Sequence, residues 1–200
     1  MRRMAVGFAG LAVVAVAVAA SGITSGQDGA RAPARPAVRW DAADPGVVTK
    51  VRKRSIDRIV IHKAEGSLAD CVAWFKDPLN GVSAHYCVDD REIVQMVHDQ
   101  DVAWHAGNMS YNERSIGIEN SGYNAKDDVT DAHYRKLASL VASLCAKFAI
   151  PVDRDHIIGH GEVPDPFHKG RLGGADHHTC PGKYFDWTLF IRYVREASSP

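Results

Sequence analysis

Arg58-Ile59-Val60-Ile61-His62 and Ser115-Ile116-Gly117-Ile118-Glu119 are the two stretches on which the fold turns. Each is a short apolar run, rich in β-branched residues, that stops on a side chain able to do chemistry. Runs of that length and composition read as buried strands. Three more β-type runs join them, His85 to Val88, Glu92 to Val97 and His156 to Gly159, the last leading directly into His160. Helices fall between and after these runs. Ser67-Leu68-Ala69-Asp70 is a capping-box-like start to a short helix through Phe75. Tyr134, Leu137, Leu140, Val141, Leu144, Cys145 and Phe148 draw a long amphipathic stripe. Asp186-Trp187 opens a last helix with an expected buried face of Trp187, Phe190, Ile191 and Val194. Strands alternating with helices predict a single α/β domain, a central mixed β-sheet flanked by helices.

Length and charge bound what such a domain does. The 200 residues suit one domain, and equal numbers of basic and acidic residues give a net charge of zero. A balanced chain gives no electrostatic reason to expect nucleic acid as partner. Arg2 and Arg3 precede an uncharged Ala/Val-rich stretch from Met4 to Ala20, the pattern of a secretory signal peptide. The organisation expected is therefore a signal over residues 1–26 with an open cleavage position, a flexible leader over 27–39 and a folded domain over 40–197. A secreted or extracytoplasmic location follows, with no stable membrane association after cleavage and a monomer as the default.

His62 and His160 end strands, and open sheets place their chemistry where strands run out. A lone histidine is more often a satisfied core or surface residue, so the combination with Cys180 carries the weight. Two imidazoles and a thiolate would supply a catalytic Zn2+ with three protein ligands and leave a fourth position open. His178, two residues before Cys180, competes with His160 for a ligand place, and His177 stands next to it as its adjacent competitor. Hydrolysis at such a metal also needs a group that takes a proton from the attacking water and returns one to the leaving group. Glu119, at the end of an apolar strand, suits that task, against the alternative that it pairs with Arg114 or faces solvent.

Six pieces in order resemble the zinc-dependent N-acetylmuramoyl-L-alanine amidases related to peptidoglycan recognition proteins and amidase-type phage lysozymes. They are Ile59 to His62, Val82-Ser83-Ala84-His85-Tyr86, Val102-Ala103-Trp104-His105-Ala106-Gly107, Ser115 to Glu119, Gly159-His160-Gly161-Glu162-Val163-Pro164 and Thr179-Cys180-Pro181-Gly182. The resemblance implies a peptidoglycan recognition protein-like fold, Zn2+ on His62, His160 and Cys180, and a peptidoglycan or muropeptide substrate. It implies Glu119 as general base and His178, two residues before the third ligand, as the helper for the oxyanion. Trp104 and His105 with Asn108 and Asn112 resemble the loop beside the family's substrate groove, and His85 is a further candidate there. For Trp104 and His105 a place in the core is an equal alternative.

The chain departs from the family pattern in three places. Lys63 stands where many relatives carry a second histidine. Asp165 to Ala175 is an insertion-like Pro/Gly-rich segment, expected as a loop over one side of the groove. Ala84 stands where some relatives have a catalytic tyrosine, and those relatives lack the strand glutamate. With Cys180 on the metal, Cys71, Cys87 and Cys145 remain; Cys145 lies on the helical stripe, leaving Cys71–Cys87 as a plausible disulfide in an exported chain. Two other function classes stand beside the amidase. One is a peptidoglycan-binding module without catalysis. The other is a zinc peptidase acting on the stem peptide, for which no His-Glu-x-x-His helix is present.

Overall fold

The computed structural model of the protein describes residues 35–175, 177 and 179–199. The expected signal segment, the first part of the expected leader and His178 lie outside the described residues. In chain order the elements are β1 (Arg39–Trp40), β2 (Val48–Thr49), β3 (Arg58–Lys63), α1 (Leu68–Phe75), β4 (Tyr86–Val88), β5 (Ile93–Gln95), β6 (Val102–Ala103), α2 (Met109–Asn112), β7 (Ser115–Asn120), α3 (Asp131–Phe148), β8 (Ile157–Gly159) and α4 (Trp187–Ser198). The five runs expected as strands are all strands, and the three expected helices are all helices.

Local chemistry sets the helix boundaries. Ser67 and Asp70 form a reciprocal capping box at α1, Asp70 N–H donating to Ser67 Oγ at 3.2 Å and Ser67 N–H to Asp70 Oδ2 at 3.0 Å. Thr130 caps α3 through His133 N–H, and Asp186 caps α4 through Leu189 N–H. The leader ends earlier than expected. Arg39 already belongs to β1, which pairs with β5, and its guanidinium is held by Glu92 and Asp41, each at 2.9 Å.

Six strands form one mixed sheet in the order β1-β5-β4-β7-β3-β8, while β2 and β6 pair separately. The four strands β4, β7, β3 and β8 run parallel, and β5 returns antiparallel to β4. Period-two alternation decides which residues go to which face. Ile59, Ile61, Ile116, Ile118 and Ile157 join the helices α3 and α4 in the main core, with Leu137, Leu140, Val141, Phe190 and Val194 fully or almost fully buried. The opposite face of the sheet is covered by α1 and by the chain from Val97 to Tyr111, around Cys87, Met96, Val60 and Ala106. Both faces are thus dry, which fits the near-continuous apolar reading of β3 and β7.

Cys71 on α1 and Cys87 on β4 meet between these layers as free thiols, Sγ to Sγ 2.8 Å. Cys145 is buried on α3, as its place on the stripe implies. No helix among the described residues is long and apolar enough to cross a membrane.

Candidate metal centre

Because β8, β3 and β7 are parallel neighbours, their C-terminal ends open on one side of the sheet. The register pairs His62 with Glu119 across β3 and β7, and Ile61 with Gly159 across β3 and β8, so His160 follows one residue beyond the ladder. Alternation turns His62 and Glu119 away from the α3/α4 core. Cys180 arrives from the segment before α4, pinned by Gly161 N–H donating to the Cys180 carbonyl at 2.7 Å. Lys63 N–H donates to its sulfur at 3.3 Å. One ligand atom each from His62, His160 and Cys180 lies within 4.8 Å of the others, and the three residues are buried.

Burial sets the charge state of the group. Desolvation, then the neighbouring histidines His160, His105 and His177, hold the His62 imidazole well below the usual histidine range. Burial and then His177 bring His160 down to about 4, against a hydrogen bond that the ring donates to the Ala106 backbone carbonyl, which favours its charged form. Both rings are therefore neutral and carry a lone pair at neutral pH, as metal ligands must. Burial and then Glu65 push the Glu119 carboxyl up to about 8. Burial and then Glu119 raise the Cys180 thiol strongly, and the Lys63 N–H partly opposes this.

Two polar atoms of this group, His160 Nε2 and Glu119 Oε2, are buried with no hydrogen-bond partner among the described residues. Orphaned buried atoms are rare and call for an explanation. A divalent cation supplies one, since it would engage the imidazole, stabilise the thiolate and turn Glu119 towards its ionised form. The donor set of two nitrogens and one sulfur fits Zn2+. Glu119 itself stands beside the ligands, Oε1 3.8 Å from His62 Nδ1, with its side chain 14% exposed.

The residues expected to line a substrate groove divide. Trp104 is partly exposed, its indole N–H donating to Thr49 Oγ1 at 2.9 Å. Asn108 is also partly exposed, caps α2 and donates to the Pro164 carbonyl at 2.9 Å. His85, His105 and Asn112 are buried. His85 does not reach the groove: it is fully buried, its Nδ1 accepting from Gly117 N–H at 3.0 Å, and burial with the Arg52 guanidinium brings it down to about 3. Asn112 holds the loop instead of a ligand, its Oδ1 accepting from the backbone N–H of both His105 and Ala106. His105 lies beneath His62, ring nitrogens 3.1 Å apart. The exposed His177 ring tilts over His160, centroids 4.7 Å apart.

Lys63 explains its own departure. It is buried and pairs with Asp128, which also accepts from Tyr123 N–H, so it ties the chain after β7 to the site. The Asp165–Ala175 segment folds back on itself through a Pro164–Leu172 bridge and lies against Ala106 and Gly107. Asp165 is buried at the base of its turn, accepting from Phe167 and His168, while Phe167 is 78% exposed. Sequence reasoning missed Glu65 as the second influence on Glu119, and the role of Gly117. A glycine isolated in an apolar strand signals close approach of another group. A Cβ there would stand 2.4 Å from the His105 ring.

Comparison with known proteins agrees with this geometry. Residues 52–183 match the family model described as N-acetylmuramoyl-L-alanine amidase. The chain is 33% identical over 151 residues to N-acetylmuramoyl-L-alanine amidase A of Achromobacter lyticus, covering 68% of this chain and 81% of that one. It is 37% identical over 124 residues to the 1,6-anhydro-N-acetylmuramyl-L-alanine amidase AmpD of Salmonella typhimurium, spanning 58% of this chain and 59% of that relative. Among solved structures, a selenomethionine derivative of AmpD superimposes with a TM-score of 0.60 at 29% identity, over 78% of this chain and 94% of that one. A buried His/His/Cys group beside a strand-end glutamate, in a chain matched over most of its folded length, places this protein in the N-acetylmuramoyl-L-alanine amidase family, and it is an amidase.

Proposed function

We propose that the protein is an exported, zinc-dependent peptidoglycan amidase that cuts the amide between the lactyl group of N-acetylmuramic acid and the L-alanine of the stem peptide. The observation that carries the reading is the convergence of the His62, His160 and Cys180 ligand atoms within 4.8 Å, beside the Glu119 carboxyl. Bound there, Zn2+ would supply a Lewis acid able to polarise the scissile carbonyl and lower the pKa of water. His62 and His160 would hold it as neutral rings, and Cys180 as a thiolate supported by Lys63 N–H. Glu119 takes the proton of the attacking water at Oε1 or Oε2 and returns it to the departing amine of L-alanine. His178 is assigned the developing oxyanion from its place in the sequence.

Trp104 and Asn108 are the loop residues assigned to substrate contact, a reading supported by their partial exposure. Export rests on the Arg2-Arg3 and Ala/Val-rich N-terminal pattern. In an oxidising compartment Cys71 and Cys87 would be joined, since each is the other's neighbour between α1 and β4.

Digestion of purified muropeptides, read by mass spectrometry, tests the proposal. Zinc-loaded protein releases free stem peptide beginning with L-alanine. Chelation abolishes release, and Glu119→Ala reduces it by about 10²–10⁴-fold. Cleavage inside the stem would identify a peptidase, and muropeptides bound but uncut would identify a recognition module.

A further inference from the structure

The buried loop residues point to a function of their own. His62 Nε2 lies 3.1 Å from His105 Nδ1, His105 Nε2 lies 3.2 Å from Ser115 Oγ, and Ser115 Oγ lies 2.5 Å from the Tyr111 carbonyl oxygen. All three side chains are buried. A chain of this kind has one proton order. The carbonyl can only accept, so it takes the single hydroxyl proton of Ser115. Ser115 Oγ then offers a lone pair to His105 Nε2, which must carry the ring's proton. A neutral His105 with its proton on Nε2 has a bare Nδ1, so His62 must donate from Nε2. What is left on His62 is the Nδ1 lone pair, on the side of Glu119.

We propose that His105 is a positioning residue which, with Ser115 and the Tyr111 carbonyl, locks His62 in the Nε2–H tautomer and makes Nδ1 its metal-binding atom. The fold is built around this arrangement. Gly117 leaves room on β7 for the His105 ring, whose atoms would stand 2.4–2.6 Å from a Cβ. Asn112 Oδ1 fixes the backbone on either side of the His105–Ala106 peptide, at 3.1 and 2.8 Å. His85 stacks edge-on against the far side of the same ring, centroids 5.7 Å apart. A histidine ligand whose second nitrogen is anchored is both oriented and made more basic, and loss of such an anchor costs about 10–100-fold in metal affinity. The reading of the loop changes with this: His105 and Asn112 serve the metal ligand from beneath, and contact with substrate falls to residues nearer the surface.

The inference on metal affinity rests on the zinc reading above, but the tautomer does not, so the two fail separately. The first experiment is a long-range 1H–15N correlation of the histidine rings in 15N-labelled, metal-free protein. The expected result is a pyrrole-type Nε2 and a pyridine-type Nδ1 on both His62 and His105. The reverse tautomer on either ring overturns the proposal. Zn2+ and Co2+ affinities, measured by competition with a chromophoric chelator, then compare three variants. His105→Asn offers an amide oxygen near the position of Nδ1 and is expected to stay within about 3-fold of wild type, whereas His105→Leu is expected to lose about 10–100-fold. Ser115→Ala, the milder change, is expected to mix the tautomers of both rings together and to weaken metal binding in step. Affinities equal to wild type in both Leu and Ala variants, with melting curves that show folded protein, overturn the positioning role. Failure of wild type to bind either ion would refute the zinc reading while leaving the tautomer result to decide the relay.

Discussion

Glu119 is the residue where stability and chemistry oppose one another. Its carboxyl, raised from 4.5 to about 8 by burial and then by Glu65, keeps a proton in the metal-free native state that the unfolded chain releases. The sign follows from proton binding. Stability is full below about pH 4.5, falls as the unfolded chain ionises, and stops falling once pH passes about 8, where the native carboxyl has ionised too. Glu119→Gln cannot ionise, so the metal-free variant is expected to lose less stability than wild type between about pH 5 and pH 8.5, the difference on the order of 3 kcal/mol. Urea unfolding of both proteins with a chelator present measures this, and parallel pH dependences would show that Glu119 is not the group responsible. Zinc bound there would reverse the preference, because a cation beside the carboxyl favours its charged form. On the proposed mechanism, a base held protonated without metal and ionised with it would be active only when the site is loaded.

Strand β7 carries both the end proposed as catalytic and a structural hollow. Gly117 faces the side occupied by His105, and Gly117→Ala puts a methyl group into that ring. Overpacking of this kind costs about 1–3 kcal/mol. The variant is expected to melt lower and also to bind Zn2+ more weakly, because the displaced ring is the one under His62; a normal zinc affinity in a folded variant would break that link. Helix α1 makes a second test. A bridge between Cys71 and Cys87 closes a short loop onto β4, and loops of about 15 residues gain about 3 kcal/mol from closure. Exported protein is expected to lack two hydrogens' worth of mass relative to the reduced form and to melt lower after reduction; an unchanged mass would show both thiols free.

What could be read in advance follows from the same physics. β3 and β7 were legible because fully buried parallel strands are apolar throughout, and His62, Glu119 and His160 because strand ends are where the apolar pattern stops. The two-residue strands β1, β2 and β6 have no room for a period, so nothing in the sequence announces them. For His85, His105 and Asn112 the sequence left substrate contact open, and for His105 a core place equally so, because a buried polar side chain and a ligand-binding one look alike until their partners are known. Those partners, Gly117 N–H, Ser115 and the loop backbone, come from other elements.

At the scale of the whole molecule the centre joins pieces that chain connectivity leaves apart. His62 ends the middle strand, His160 follows the edge strand β8, and Cys180 belongs to the segment that leads into α4. Without an ion these three are held by hydrogen bonds such as Gly161 N–H to the Cys180 carbonyl and Lys63 N–H to the Cys180 sulfur. An ion that binds only this assembled set stabilises the native state by mass action, about 2.7 kcal/mol when free metal is 100 times its dissociation constant. The stabilisation is expected to vanish in Cys180→Ala. The metal-free melting temperature of that variant should stay close to wild type, because loss of one buried sulfur leaves only a small cavity, costing about 1 kcal/mol. Thermal melts of both proteins, with a chelator and with excess Zn2+, compare the two increments. Equal increments in wild type and variant would place the stabilising ion elsewhere. An increment present in wild type alone ties the β3 end, the β8 end and the approach to α4 into one zinc-dependent unit, so that the assembled site and the stability of the fold rise together.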